Sequence, residues 1–315
     1  MKILVYGAGV IGTLYALRLE EAGHEVTVLA RGNRLKEIEE HGLIVEDVTT
    51  GVRSSVRVAC VSELDPEDSY DLALITVRNE NLPALLPVLA ANGRVLNFLF
   101  MLNNPQGSPP LVHAVGLDRV LLGFPGAGGA LKDHVVHYAL ISQQPTTIGE
   151  PRGLHTARLK ALIKTMRAAG FAARIDNDMD GWLACHAFFV TSVCAAIYLA
   201  GDDCARLSSS SSVLDLMIDG VREGFRAVRA LGHAVHPLPL RILFLTLPRP
   251  AAVHYWRRYF AQPLAEFVFA QHARNAVTEM RSLQRQCCQL LAEAGVESPA
   301  LEKLYAAIDN LAPVS

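Results

Sequence analysis

The sequence predicts an α/β Rossmann-like N-terminal domain followed by an all-α C-terminal domain. Three observations carry this. Apolar β-branched runs alternate with helical patterns through the first half of the chain, the signature of a parallel sheet covered by helices. A glycine cluster follows the first of those runs at once. Beyond Asn177 strand-like segments cease and helical patterns dominate. The expected domains are therefore 1–177 and 178–315, and a chain of 315 residues with 51% hydrophobic content has enough apolar surface to give each a core.

The elements follow in order. Residues 2–6 (KILVY) are a first strand. After the glycines, Ile11, Leu14, Tyr15, Leu17 and Leu19 mark a helix. Residues 25–29 (EVTVL) form a second strand, and 44–60 alternate loosely around Thr49-Thr50-Gly51 as a hairpin insertion. Residues 71–77 (DLALITV) and 94–98 (RVLNF) read as buried parallel strands, with a helix over 81–90 between them. The stretch 120–148 is glycine-rich and strand-like, 154–169 an amphipathic helix and 171–175 (FAARI) a last strand. Helices are then expected at 179–200, 210–232, 261–294 and 298–310, with the prolines between 237 and 250 breaking the run. The serines at 208–212 read as a helix start, since serine caps well and an apolar periodic stretch follows.

Composition excludes several classes of partner. A net charge of -2 gives no electrostatic footprint for nucleic acid or an anionic membrane. The cysteines at 60, 185, 194, 204, 287 and 288 form no CxxC pair, so reduced thiols and a cytoplasmic location are expected, with no metal. Residues 182–201 (WLACHAFFVTSVCAAIYLAG) lack Asp, Glu, Lys and Arg and are about long enough to span a bilayer. Their flanks argue against it. Asp176, Asp178 and Asp180 precede the segment, and Asp202 and Asp203 follow, where a span favours Lys or Arg on its cytoplasmic side. A helix buried all round within the protein is the expectation, with no membrane partner.

Gly7, Gly9 and Gly12 form G-x-G-x-x-G between a strand and a helix, the context of a dinucleotide site. The first glycine permits the tight turn, the second a close approach of backbone to a diphosphate, the third tight helix–strand packing. Val10 and Ile11, at the helix start, supply amide donors. The second strand ends VLARGNR, without the acid that would bond a ribose diol. Arg31 and Arg34 suit a 2′-phosphate instead, so NADP(H) is the expected cofactor, with Arg78 in TVRN a further contact.

Three candidates for chemistry lie elsewhere. His186 is a titratable side chain on the uncharged helix, suited to donate a proton or polarise a carbonyl. His272, Asn275 and Glu279 recur at helical spacing and are expected on one face, with Glu279 holding a substrate hydroxyl. Asn103-Asn104 falls past the end of a strand, where open α/β sheets place ligands, and Asn104 is a candidate for both cofactor and substrate contact.

Taken together, GAGVIG, VTVLAR with GNRL, HGLIV, TVRNENL, the NN loop, TEM and GVESPALEKLY stand in an order that resembles the ketopantoate reductase (2-dehydropantoate 2-reductase) family. The resemblance runs nearly end to end. It implies NADPH-dependent enzymes with a Rossmann domain and a helical domain. It also implies a lysine early in the first helix of the second domain as general acid. Here that slot holds His186 when aligned without gaps from 177–179, or Ala184 when aligned on Trp182. The family's following asparagines fall on Val190 and Cys194, or on Phe188 and Ser192, and its serine falls near Phe267. Glu279 matches the family's substrate-binding glutamate, and Asn104 its loop asparagine.

The expectation is a NADP-binding first domain and a helical second domain serving substrate binding and dimerisation. The activity expected is NADPH-dependent reduction of a 2-oxo acid or related carbonyl compound, more apolar than ketopantoate, by a possible homodimer. The alternative is a catalytically silent NADP(H)-binding protein. A 3-hydroxyacid dehydrogenase of similar layout is a third reading, but it too calls for a lysine on that helix.

Overall fold

Short apolar runs with no polar side to show water pair most readily with one another, and the first half of the chain supplies several. In the computed structural model, which describes residues 1–311, they build an eight-stranded sheet. The elements in chain order are β1 (Lys2–Tyr6), α1 (Val10–Glu21), β2 (Glu25–Leu29), α2 (Gly32–His41), β3 (Leu43–Asp47), β4 (Arg53–Val56), β5 (Ala59–Val61), β6 (Leu72–Ile75), α3 (Leu82–Ala91), β7 (Phe98–Met101) and α4 (Pro109–Val115). Then come β8 (Val120–Phe124), β9 (Ala127–Lys132), β10 (Val135–Leu140), β11 (Thr146–Gly149), α5 (Ala157–Ala168) and β12 (Ala173–Ile175). The large sheet has the order β12-β11-β8-β7-β6-β1-β2-β5, parallel except where β11 meets β8. Strands β6, β7 and β8 are buried along their whole length, as expected of strands covered on both faces.

The expected hairpin is present. β3 and β4 pair antiparallel from Leu43 opposite Val56, and they join β9 and β10 in a second, four-stranded sheet. Asp47 closes its turn by accepting from the amide and hydroxyl of Thr49. The strand expected at 94–98 lies further on, at β7. The Arg94 and Val95 amides donate to the Asn92 side chain, and Arg119 donates to the Val95 and Asn92 carbonyls. Side chains thus take over backbone groups there, and regular pairing starts only at Phe98.

The remaining elements are helical: α6 (Met179–Leu199), α7 (Cys204–Ser209), α8 (Ser211–Ala230), α9 (Leu238–Arg241) passing into a π-helical turn (Ile242–Thr246), and α10 (Arg249–Phe260). They continue with α11 (Pro263–Ala265), a second π-helical turn (Glu266–Ala270), α12 (Gln271–Asn275), α13 (Val277–Ala294) and α14 (Pro299–Asp309). The chain divides into two units. The first is Met1–Leu102 with Ser108–Met179, and the second is Asn103–Gly107 with the chain from Asp180 onward.

Helix α6 answers the question its composition raises. It is long and apolar enough to cross a bilayer, yet 89% of its apolar window is buried inside the protein. Phe188 packs so closely on α8 that a methyl group at Gly224 would lie 2.3 Å from its ring. Val193 and Ile197 share a core with Leu214, Met217 and Phe225 of α8.

Two expectations about the helices change. The single helix over 261–294 is interrupted at Ala276, whose φ of -126° and ψ of 30° leave the helical region. The Ala273 carbonyl, deprived of its regular helical partner, accepts instead from the Tyr198 hydroxyl at 2.6 Å. The serine run both ends α7 and begins α8. Ser208 and Ser209 bond back to the Ala205 carbonyl, and Ser210 holds the cap position without a side-chain cap bond.

Candidate functional site

The loop between β1 and α1 uses each of its three glycines differently. Gly7 has φ +108°, a conformation open to glycine, and it lies against the Thr76 backbone. A Cβ on Gly12 would sit 1.8 Å from the Gly7 carbonyl oxygen. Gly9 is exposed, and a Cβ there would meet nothing within 4 Å. Space is therefore left where helix α1 begins, with the partly exposed Val10 and Ile11 behind it. The first amides of the helix carry no side-chain cap, and its first turn holds no acid. Such an end offers donors and positive potential to an anion. Thr76 fixes the loop by donating from Oγ1 to the Gly7 carbonyl at 2.9 Å. Sequence reasoning did not single out Thr76. Its only signal was its place at the end of the strand 71–77.

Two arginines flank this loop. Arg34 donates from Nε to the Ala8 carbonyl at 3.0 Å, from one terminal nitrogen to Thr13 Oγ1 at 3.1 Å, and from the other to Glu37 at 3.0 Å. Its side chain is only 15% exposed, so it is part of the loop's frame. Arg31 is exposed at the end of β2 and bonds the Ser62 carbonyl and the Tyr6 hydroxyl. Both present guanidinium groups in the same unit as the glycine loop. Arg78 is exposed in the turn after β6.

The second unit holds the remaining candidates. His186 is 8% exposed, with its ring stacked on Trp182 at 5.3 Å and edge-on to Phe189. Burial, reinforced by the charge of His272, pushes its pKa down to about 3. It is therefore a neutral imidazole at physiological pH, able to donate an N–H but not to act as an imidazolium. Glu279 stands in the first turn of α13 and is 5% exposed. Its Oε1 accepts from Asn103 Nδ2 at 3.1 Å. Among the described residues its carboxylate has no other hydrogen-bond partner and no cation paired with it.

The structure redistributes the asparagines. Asn103 is the one that meets Glu279. Asn104 is buried and donates to the Gly107 carbonyl at 2.6 Å, shaping its own loop. The expected stripe of His272, Asn275 and Glu279 is also divided, because the break at Ala276 separates them. His272 is partly buried and acts on His186, Asn275 is exposed, and Glu279 is buried within electrostatic reach of Cys194. No residue of 182–201 is cationic, and Ala184, Phe188, Val190, Ser192 and Cys194 are all buried. All six cysteines are thiols.

Comparison with known proteins gives a consistent likeness. A family model described as ketopantoate reductase PanE/ApbA matches residues 3–153. Over those residues, just under half of the chain, the sequence is similar to that family. A 2-dehydropantoate 2-reductase of Archaeoglobus fulgidus is 27% identical over 179 residues, a match spanning 57% of this chain and 57% of that protein. One from Pyrococcus horikoshii is 23% identical over 250 residues, 78% of this chain and 80% of that one. Among solved structures, 2-dehydropantoate 2-reductase from Geobacter metallireducens superposes with a TM-score of 0.80 at 16% identity, covering 98% of this chain and 99% of that one. The ternary structure of D-mandelate dehydrogenase with NADH and anilino(oxo)acetate superposes with a TM-score of 0.75 at 19% identity, covering 98% of each. At these identities the likeness shows the fold.

Proposed function

We propose that this chain is an NADPH-dependent reductase of a 2-oxo acid or related carbonyl compound, more apolar than ketopantoate. The observation that carries it is the glycine loop, closed by Gly7 and Gly12 but open over Gly9 at an uncapped helix end. The diphosphate would lie on the amides of Val10 and Ile11, with Arg34 and Arg31 taking the 2′-phosphate and Arg78 as a further contact. When bound, the nicotinamide supplies hydride to the carbonyl carbon. His186 would donate its neutral N–H to the carbonyl oxygen and protonate the forming alkoxide, the imidazolate left behind taking a proton back from solvent. Depressed basicity makes that N–H a better donor than an ordinary imidazole. Glu279 accepts from a hydroxyl or N–H of the substrate.

The family's named relatives support a reductase acting on a small carbonyl compound. A fold neighbour that holds NADH and anilino(oxo)acetate supports a nicotinamide and an aryl-sized substrate on this scaffold. A cytoplasmic homodimer, with the helical unit serving substrate and partner subunit, belongs to the same proposal.

Calorimetry with NADPH and an NADPH-oxidation panel of 2-oxo acids and ketones test the proposal. His186→Gln is expected to abolish turnover and leave NADPH affinity intact. Unchanged turnover would remove His186 from the role. Arg34→Ala is expected to weaken NADPH more than NADH by at least tenfold, about 1.4 kcal/mol. A second reading, a silent NADP(H)-binding protein, draws on the absence of any cation along α6. It calls for NADPH binding with no oxidation by any carbonyl in the panel.

A further inference from the structure

The charges of the helical unit bear on what kind of carbonyl compound is taken up. We infer that the substrate is an uncharged carbonyl compound carrying an O–H or N–H donor, rather than a free 2-oxo carboxylate; this rests on the reading that the substrate lies with His186 and Glu279. Glu279 is a buried carboxylate with one hydrogen bond, from Asn103 to Oε1, and no paired cation among the described residues. A buried charge in that state is costly and gains most from a donor delivered to its open oxygen. Asn103 fills one oxygen and leaves Oε2 as acceptor.

A second anion placed beside it would find no compensating cation on α6. Residues 182–201 hold neither Lys nor Arg, and His186 is neutral. Four arginines of this unit are engaged elsewhere. Arg274 binds Glu266 and the Asp202 carbonyl, Arg281 the Leu311 carbonyl, Arg222 the Phe244 carbonyl, and Arg249 the carboxylates of Asp215 and Asp219. Like charges repel strongly where water is excluded. The surroundings of His186 are apolar as well. Phe189 touches its ring and leans on Phe244, Trp256 and Phe269. Neutral, donor-bearing and apolar in body is the chemistry that fits.

The test is a matched pair with the same ring and ketone: phenylglyoxylate and its methyl ester, with NADPH and the wild-type chain. The ester is expected to show a kcat/KM at least tenfold higher. 2-Hydroxyacetophenone is expected to exceed acetophenone by a similar factor, its hydroxyl donating to Glu279. In Glu279→Gln the acid should rise until the pair lies within about threefold, and the hydroxyl advantage should vanish. A wild-type preference for the acid overturns the inference and leaves the reductase standing, and this comparison needs no variant to fold. Unchanged ratios in a folded Glu279→Gln overturn it too. NADPH binding with no oxidation by any of the four compounds overturns the reductase reading, and the inference falls with it.

Discussion

Gly9 and Gly12 are three residues apart and face opposite demands. At Gly12 a methyl group would collide with the Gly7 carbonyl, so Gly12→Ala is expected to destabilise the first unit by about 3 kcal/mol, read from denaturant melts. At Gly9 the space is open, so Gly9→Ala should leave those melts unchanged while weakening NADPH at least tenfold in calorimetry. Equal effects from both would deny the loop its proposed role. His186 makes a prediction of another kind. Its folded pKa lies below the unfolded value, so its burial favours the fold above about pH 6.5, and that advantage is lost as the pH falls toward 3. At pH 4.5 the loss is about 2–3 kcal/mol, and His186→Gln should remove that part of the pH dependence. Melts of both proteins at pH 7 and pH 4.5 measure it. Ser192 and Thr191 offer a contrast. The Thr191 hydroxyl meets Tyr305 at 3.0 Å, whereas Ser192 Oγ is buried with no partner among the described residues. Ser192→Ala should cost nothing or stabilise, and Thr191→Val should cost about 1 kcal/mol.

Element by element, the sequence foretold the parts that local periodicity controls. The strands at 2–6 and 25–29, the hairpin and the helices α6, α8 and α14 follow from apolar spacing and turn residues. What it missed depends on distant partners. Strand β7 starts late because Asn92 and Arg119, outside the strand, claim its approach. The break at Ala276 has no glycine or proline to announce it; Tyr198, some 75 positions earlier, accommodates it through the Ala273 carbonyl. Tyr198→Phe is therefore expected to lower the stability of the helical unit by about 1 kcal/mol. The same break explains why the polar stripe did not survive as one face. The glycine motif was legible because it is local, whereas Asn103 at Glu279 joins positions 176 apart in the chain.

Among the described residues there are two separate apolar cores. One is drawn from residues 3–173 and the other from 184–308, with no member in common. Two calorimetric transitions are expected. NADPH at a hundredfold excess over its Kd should raise the transition of the first unit by about 2.7 kcal/mol. A single transition that moves as a whole would show instead that the units unfold together.

Residues 103–107 cluster with the helical unit although they follow β7 directly. Gln106 reaches Gln289, and Gly107 is pressed against the Asp180 carboxylate. The polypeptide consequently crosses between the units three times, so scission at a single peptide bond near 179 cannot release two intact halves. A fragment ending there would carry a five-residue stitch torn from its fabric, and two halves made separately would need that stitch re-threaded before either matched its form in the unbroken chain.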